Sequence, residues 1–242
     1  MITEDGSLLK RSSRKGVNPE VPVTVEEREI VNPGIAELEY PLRALLLKLF
    51  PHVEADEYSL MVGEGLSATI PTLVMRAAIN DTRLLDGKDP LPLIFLDVKE
   101  YFHSLEGPGR QKVIDVVGDI KKTVKNKGKK ALVVTEYMQT GITMGFVKDW
   151  LEGIPYDVGV MIVSDPEEKY RKHREDVVSS ASGFFVGYHG QNPPDVWMNK
   201  DISAQQRAIW QNPANPGFVP NLQSIRDIAL LTQRLVKFSR TI

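Results

Sequence analysis

ALVVTEYMQTGITMGF, residues 131 to 146, decides how the rest of this chain is read. Ala131 to Thr135 are apolar or β-branched, the composition of a short buried strand. The strand is expected to stop at Glu136. Gln139-Thr140-Gly141-Ile142-Thr143 then turns the chain into a helix over Met144 to Leu151. Gly141 allows the backbone dihedrals and close approach that a loop around an anion needs. Successive N–H groups of such a loop, and the positive end of the helix behind it, favour negative charge. Thr140 and Thr143 add hydroxyl donors. Glu136 suits sugar hydroxyls, because it would repel a phosphate. The same residues also fit a plain strand–turn–helix connection, with glycine for the turn and threonine as N-cap.

Outward from this stretch, apolar runs alternate with helical patterns. Tyr58 to Val62 reads as a strand, followed by a glycine turn and a helix from Ile70 to Ile79. Leu91 to Val98 is the next strand, and Val113 to Lys125 carries apolar residues at helical spacing. After the central loop come a strand at Val158 to Val163, a charged helix at Glu167 to Val178 and a strand at Phe184 to Tyr188. Strands alternating with helices imply α/β architecture, a parallel sheet covered on both faces. Upstream, Pro41 starts a helix whose apolar positions run from Leu42 to Phe50. Residues 1–35 read as a polar arm with a basic cluster at Lys10, Arg11, Arg14 and Lys15. Residues 36–191 form the core, and 192–242 an irregular tail ending in an amphipathic helix, Asn221 to Ser239, that packs back on it.

The composition narrows the function. The chain has 242 residues, with 30 Lys and Arg against 32 Asp and Glu, so charge does not mark nucleic acid or an anionic membrane as its partner. It has no cysteine, which removes disulfides, thiolate metal sites and a cysteine nucleophile. No apolar run reaches the length of a membrane span, and MITEDGSLLKRSSRKG lacks a signal peptide's apolar core, so the expected location is the cytoplasm. Neither the central loop nor Gly63-Glu-Gly-Leu-Ser-Ala68 ends in the Gly-Lys-Ser/Thr of a nucleoside-triphosphate loop. The lysine-rich 121–130 segment reads as a solvated helix end. His52 and His173 have no partners in sequence and read as structural or exposed. His189 is open to either a ligand role or a surface turn.

TEYMQTGITM, preceded by LVV, resembles the phosphoribosyl-pyrophosphate signature of type I phosphoribosyltransferases, in which apolar residues, two acids and a Thr-Gly-x-Thr-like turn follow one another. Three further segments resemble the family in the same order. Gly63-Glu64-Gly65 stands where its pyrophosphate loop does, and FLDVKEYFHSLEGPGR, 95–110, where its mobile hood does. Gly183-Phe184-Phe185-Val186-Gly187-Tyr188 is similar to the base-clamping strand of the hypoxanthine-guanine branch. The resemblance implies a doubly wound, phosphoribosyltransferase-like core with a hood and a C-terminal helical extension. It also implies binding of phosphoribosyl pyrophosphate with Mg2+, and transfer of ribosyl 5-phosphate to a nitrogenous base such as a purine.

The roles it implies are specific. Gln139, Thr140, Gly141, Ile142 and Thr143 hold the 5-phosphate, and Glu136 holds ribose hydroxyls and assists the metal. Glu64, Gly65 and Lys99 line the pyrophosphate side, with Arg110 and Lys112 as further candidates. Phe184 and Phe185 stack on or border the acceptor. Several positions depart from the pattern. Thr135 replaces one acid of the pair, and Gln139 stands where the purine branch keeps a general base. Ser164 stands in place of a base-reading lysine, and Gln191 in place of a metal-assisting acid. A glutamine cannot act as a general base, a function worth roughly a hundred- to ten-thousand-fold in rate. Two alternatives therefore accompany the enzyme: a sensor of nucleotides or phosphoribosyl ligands on the same fold, and a flavodoxin-like domain for another phosphate ligand. The tail around Trp197 and Trp210 is open to completing the hood or forming a homo-oligomer interface.

Overall fold

The computed structural model describes residues 29–65, 68–96, 108–190 and 222–242. In chain order its elements are α1 (Pro33–Ala36), α2 (Glu39–Glu54), β1 (Tyr58–Glu64), α3 (Thr69–Leu85) and β2 (Leu93–Leu96). They continue with α4 (Pro108–Lys127), β3 (Lys130–Met138), α5 (Ile142–Trp150), β4 (Tyr156–Val163), α6 (Glu168–Ser180), β5 (Gly183–His189) and α7 (Leu222–Ser239). The strands make one sheet in the order β2-β1-β3-β4-β5, and every pair is parallel. Every residue of β1 and of β4 is buried, which is why these strands read as continuous apolar runs.

Alternation along the strands separates two cores. Met61, Leu132, Val134 and Met161 face Leu45 and Leu49 of α2, Met75 and Ile79 of α3, and Leu231 and Leu235 of α7. Leu60, Val62, Val133, Val158 and Val160 face Ile120 of α4, Met144 and Val147 of α5, and Val177 of α6. Each such side chain, fully buried, contributes about 1.5–3 kcal/mol of transfer free energy. The result is a doubly wound α/β domain. None of the described helices is long and apolar enough to cross a membrane.

Two boundaries differ from the sequence reading. β3 runs on through Tyr137 and Met138, because these pair with Ile162 and Val163 of β4. Glu136 therefore lies inside the strand, not at its end. The core begins before residue 36: Asn32 caps α1 through its side chain, and Ile35 is fully buried. Residues 1–28, Lys99, most of the expected hood, Gln191, Trp197 and Trp210 lie outside the described residues.

The C-terminal helix is anchored at both ends. Asp227, buried in α7, accepts from the Asn32 backbone N–H at 2.8 Å. Arg240, just past α7, donates two hydrogen bonds to Asp81 of α3, at 2.7 and 2.8 Å. That guanidinium holds the Asp81 carboxyl below its ordinary range. A carboxylate whose folded pKa is depressed adds stability that is complete above its unfolded value, near 3.9, and lost as pH falls through the folded one. Asp81→Asn should accordingly lower the urea midpoint at pH 6 to 7, with the difference from the parent closing below about pH 4. A gap that persists unchanged at pH 3 would assign the effect to packing instead.

Candidate functional site at the carboxyl ends of the strands

In this strand order the chain leaves β1 toward β2 on one side, while β3 pairs on its other side. The crevice between the carboxyl ends of β1 and β3 is the topological switch point, where doubly wound sheets bind their ligands. Both sequence-predicted loops meet there. The Thr135 hydroxyl donates to Glu64 Oε2 at 2.8 Å, joining two residues 71 positions apart. Glu64, Thr135 and Glu136 are all buried. Gly63 is required by contact, since a β-carbon there would sit 2.5 Å from the Phe95 ring. Gly65 turns the chain out of β1 at φ 73°, its N–H bonded to the Leu96 carbonyl at 2.8 Å, with open space where a side chain would be.

Past Met138 the second loop is exposed at Gln139 and half-buried at Thr140. Gly141 is the N-cap of α5, in the left-handed region at φ 76° and ψ 4°. Its carbonyl accepts the first helical hydrogen bond, from the Gly145 N–H at 2.8 Å. Having no side chain, it caps none of the first-turn donors. Thr140 Oγ1 reaches only the Ile142 N–H, at a long 3.4 Å. The first turn of α5 thus keeps N–H groups aimed outward, and Ile142 and Thr143 lie at the surface. An anion at this turn would meet those donors and the positive end of the helix.

Helix α6 roofs the loop, which sequence reasoning did not anticipate. The Arg174 α-carbon lies 3.4 Å from where a β-carbon on Gly141 would sit, and the His173 ring lies 2.9 Å from the same position on Gly145. Arg174 donates from its guanidinium to the Ser164 carbonyl at 2.8 Å. Ser164 Oγ and the Tyr137 hydroxyl are 2.5 Å apart. Arg174 and His173 therefore flank the same turn as the expected loop residues, while Tyr137 meets Ser164 from the other face of the sheet. One sequence signal did point to the helix: Gly141 and Gly145, four apart, clear one face of a helical start for a close neighbour.

Phe184 and Phe185, expected to border the acceptor, do not lie near the loop. Phe184 pairs with Val158, at the start of β4, whereas Met138 pairs with Val163 at its end. Five residues of parallel strand separate the two levels by about 16 Å. β5 runs parallel to β4, so aromatics at its beginning must lie at the amino end of the sheet. Phe185 instead packs on His52, ring centroids 4.9 Å apart. At the carboxyl end β5 presents Tyr188, edge-on to Tyr40 at 6.0 Å, and His189 beside Val163. Arg110 and Lys112 lie exposed in the first turn of α4.

The amino ends carry a separate polar cluster. Lys130 donates to Glu57 Oε2 at 2.8 Å and to Asp157 Oδ2 at 3.3 Å. The Tyr58 hydroxyl donates to the same Asp157 oxygen at 2.9 Å. Lys130 holds the Glu57 carboxyl below its ordinary range, and Glu57 in turn raises the Lys130 ammonium. Burial, and then the Asp157 charge, push the Tyr58 phenol well above its usual value.

Comparison with protein-family models, curated proteins and solved structures finds no match to this chain.

Proposed function

We propose that this chain is a phosphoribosyltransferase-like protein that binds phosphoribosyl pyrophosphate at the β1/β3 crevice and transfers ribosyl 5-phosphate to a nitrogenous acceptor. The observation that carries the reading is the hydrogen bond from Thr135 to Glu64, with the left-handed Gly141 turn six residues on. It supports a single site made from both loops of the sequence signature. In this reading the N–H groups from Gln139 to Thr143 orient the ligand through its 5-phosphate. Glu136 grips ribose hydroxyls, and Glu64 and Gly65 border the pyrophosphate. Binding energy on the phosphate then orients the sugar carbon for attack, an effect that does not need a general base. Mg2+ fits this donor set, because it takes one or two carboxylates and completes its shell with phosphate oxygens and water. Glu136 would hold it, and the ion would neutralise the departing pyrophosphate.

The strand order is shared with flavodoxin-like domains. Buried carboxylates at 64 and 136 favour a sugar-hydroxyl ligand over one that presents only a phosphate to this crevice, since a desolvated carboxylate repels phosphate and accepts from hydroxyls. A second reading, a nucleotide or phosphoribosyl sensor without transfer, is favoured by two observations. Thr135 commits its hydroxyl to Glu64 where a second acid would stand, and Phe184 and Phe185 lie about 16 and 13 Å from the loop level.

Isothermal titration with phosphoribosyl pyrophosphate and with nucleoside monophosphates, with and without Mg2+, tests the site. The transferase reading expects the pyrophosphate ligand to bind in a Mg2+-dependent manner and pyrophosphate to be released with at least one base of a panel. Binding without release from any base selects the sensor. If neither ligand class binds, both readings fail.

A further inference from the structure

We propose that the amino end of the sheet, opposite the nucleotide crevice, holds a first-row divalent metal ion on His52, Glu57 and Asp157. One ligand atom from each residue lies within 4.8 Å of the others. The inference rests on how the polar atoms of this cluster are shared out. Lys130 takes Glu57 Oε2 and Asp157 Oδ2, and Tyr58 takes Asp157 Oδ2 again. The other oxygen of Asp157, Oδ1, is buried without a hydrogen bond, on a residue with no solvent exposure at all. His52 Nδ1 lies 3.1 Å from Glu57 Oε1, close enough to share a proton with it. A metal ion would take the place of that proton and reach Asp157 Oδ1, which accepts from no donor. A buried polar group left in this state calls for a partner.

The surroundings are arranged as the second shell of a metal site is. Lys130 and Tyr58 fix the orientation of both carboxylates through the oxygens a metal would not need. The Phe185 ring at 4.9 Å and the Tyr58 ring at 6.5 Å hold the imidazole from two sides. Counting a neutral imidazole, the two carboxylates and the Lys130 ammonium carry a net charge of one negative unit, which a divalent ion reverses only to one positive unit. Metal bonds near 2.1 Å place tetrahedral donors about 3.4 Å apart. His52 and Glu57, whose side chains are 31% and 33% exposed, can close a remaining gap of up to about 1.4 Å by side-chain rotation and leave an entry path. One imidazole nitrogen with two carboxylates selects Zn2+, Mn2+, Fe2+ or Co2+ over Mg2+ or Ca2+, which prefer oxygen alone. The ion would clasp the end of α2 to the starts of β1 and β4. The proposal is independent of any ligand at the β1/β3 crevice.

The test uses the full chain, stripped with chelator and desalted. Co2+ should bind at one equivalent with a visible d–d band, Zn2+ should displace it and raise the thermal midpoint, and Mg2+ should do neither. His52→Gln and Glu57→Gln should each weaken Zn2+ binding at least about tenfold, while His173→Gln at the other end leaves it unchanged. Should a variant fail to fold, imidazole 15N resonances of the parent decide the matter, since Zn2+ must then shift His52 Nδ1. Absence of saturable binding by the parent, equal affinity in His52→Gln and Glu57→Gln, or Zn2+ shifts at other histidines only would overturn the site.

Discussion

Gly141→Val should reduce the affinity for ribose 5-phosphate by at least about 100-fold, equivalent to roughly 2.7 kcal/mol. Two effects act together. At φ 76° an L-residue carries about 1–2 kcal/mol of steric strain, and a β-branched one carries more. The new side chain would also grow toward the Arg174 backbone, 3.4 Å from its β-carbon. That contact is helix main chain, not the tip of a flexible residue. The turn relieves both by leaving the left-handed region, which re-aims the N–H groups of Ile142 and Thr143. The cost to the fold is smaller than the cost to binding, because the loop can shift outward into solvent. A loss of about 2 kcal/mol corresponds to a midpoint lower by about 4–8 °C for a chain of this size. Titration calorimetry beside thermal denaturation separates the two. A variant that folds and binds ribose 5-phosphate as the parent does would show that the loop does not hold the phosphate.

The second large effect concerns two glycines with opposite outcomes. A β-carbon on Gly187 of β5 would lie 2.3 Å from the Pro41 carbonyl oxygen and 2.6 Å from that of Met161. Both are backbone atoms, one in α2 and one in β4, so the strand cannot accept a methyl group without parting from a neighbour. Gly187→Ala should destabilise by about 3 kcal/mol or more, at the upper end for overpacking. That is a large share of a net stability of roughly 5–15 kcal/mol. Gly118, exposed in the middle of α4, has nothing within 4 Å of its β-carbon position. Gly118→Ala should stabilise by about 0.5–1 kcal/mol through backbone entropy. Urea denaturation of the pair checks both signs. Equal midpoints would mean that β5 does not press against α2 as described.

Much of the secondary structure was legible because buried parallel strands carry little polarity. Val158 to Val163 announces itself without any knowledge of neighbours. Strand ends were less legible: Tyr137 and Met138 precede polar loop residues, yet pairing with Ile162 and Val163 draws them into the ladder. The loops that follow β1 and β3 were legible through Gly63, Gly65 and Gly141, because glycine marks where backbone geometry is demanding. The aromatic strand misled for a reason no local pattern reveals. GFFVGYH has aromatics at both ends, and only the direction of β5 relative to the loop decides which of them, Phe185 or Tyr188, lies at the carboxyl edge.

From its sequence alone the chain is committed to alternating strands and helices, and to a sharp turn at Gly141 opening a helix. Periodicity and glycine stereochemistry act over a few residues, so they can be read locally. The tertiary structure decided what meets what: Glu64 with Thr135 at one end of the sheet, His52 with Glu57 and Asp157 at the other, and α6 over the loop. Those meetings depend on strand order and strand direction, which arise from how whole faces are buried against one another. Residues 71 positions apart share a hydrogen bond only because β1 and β3 lie side by side.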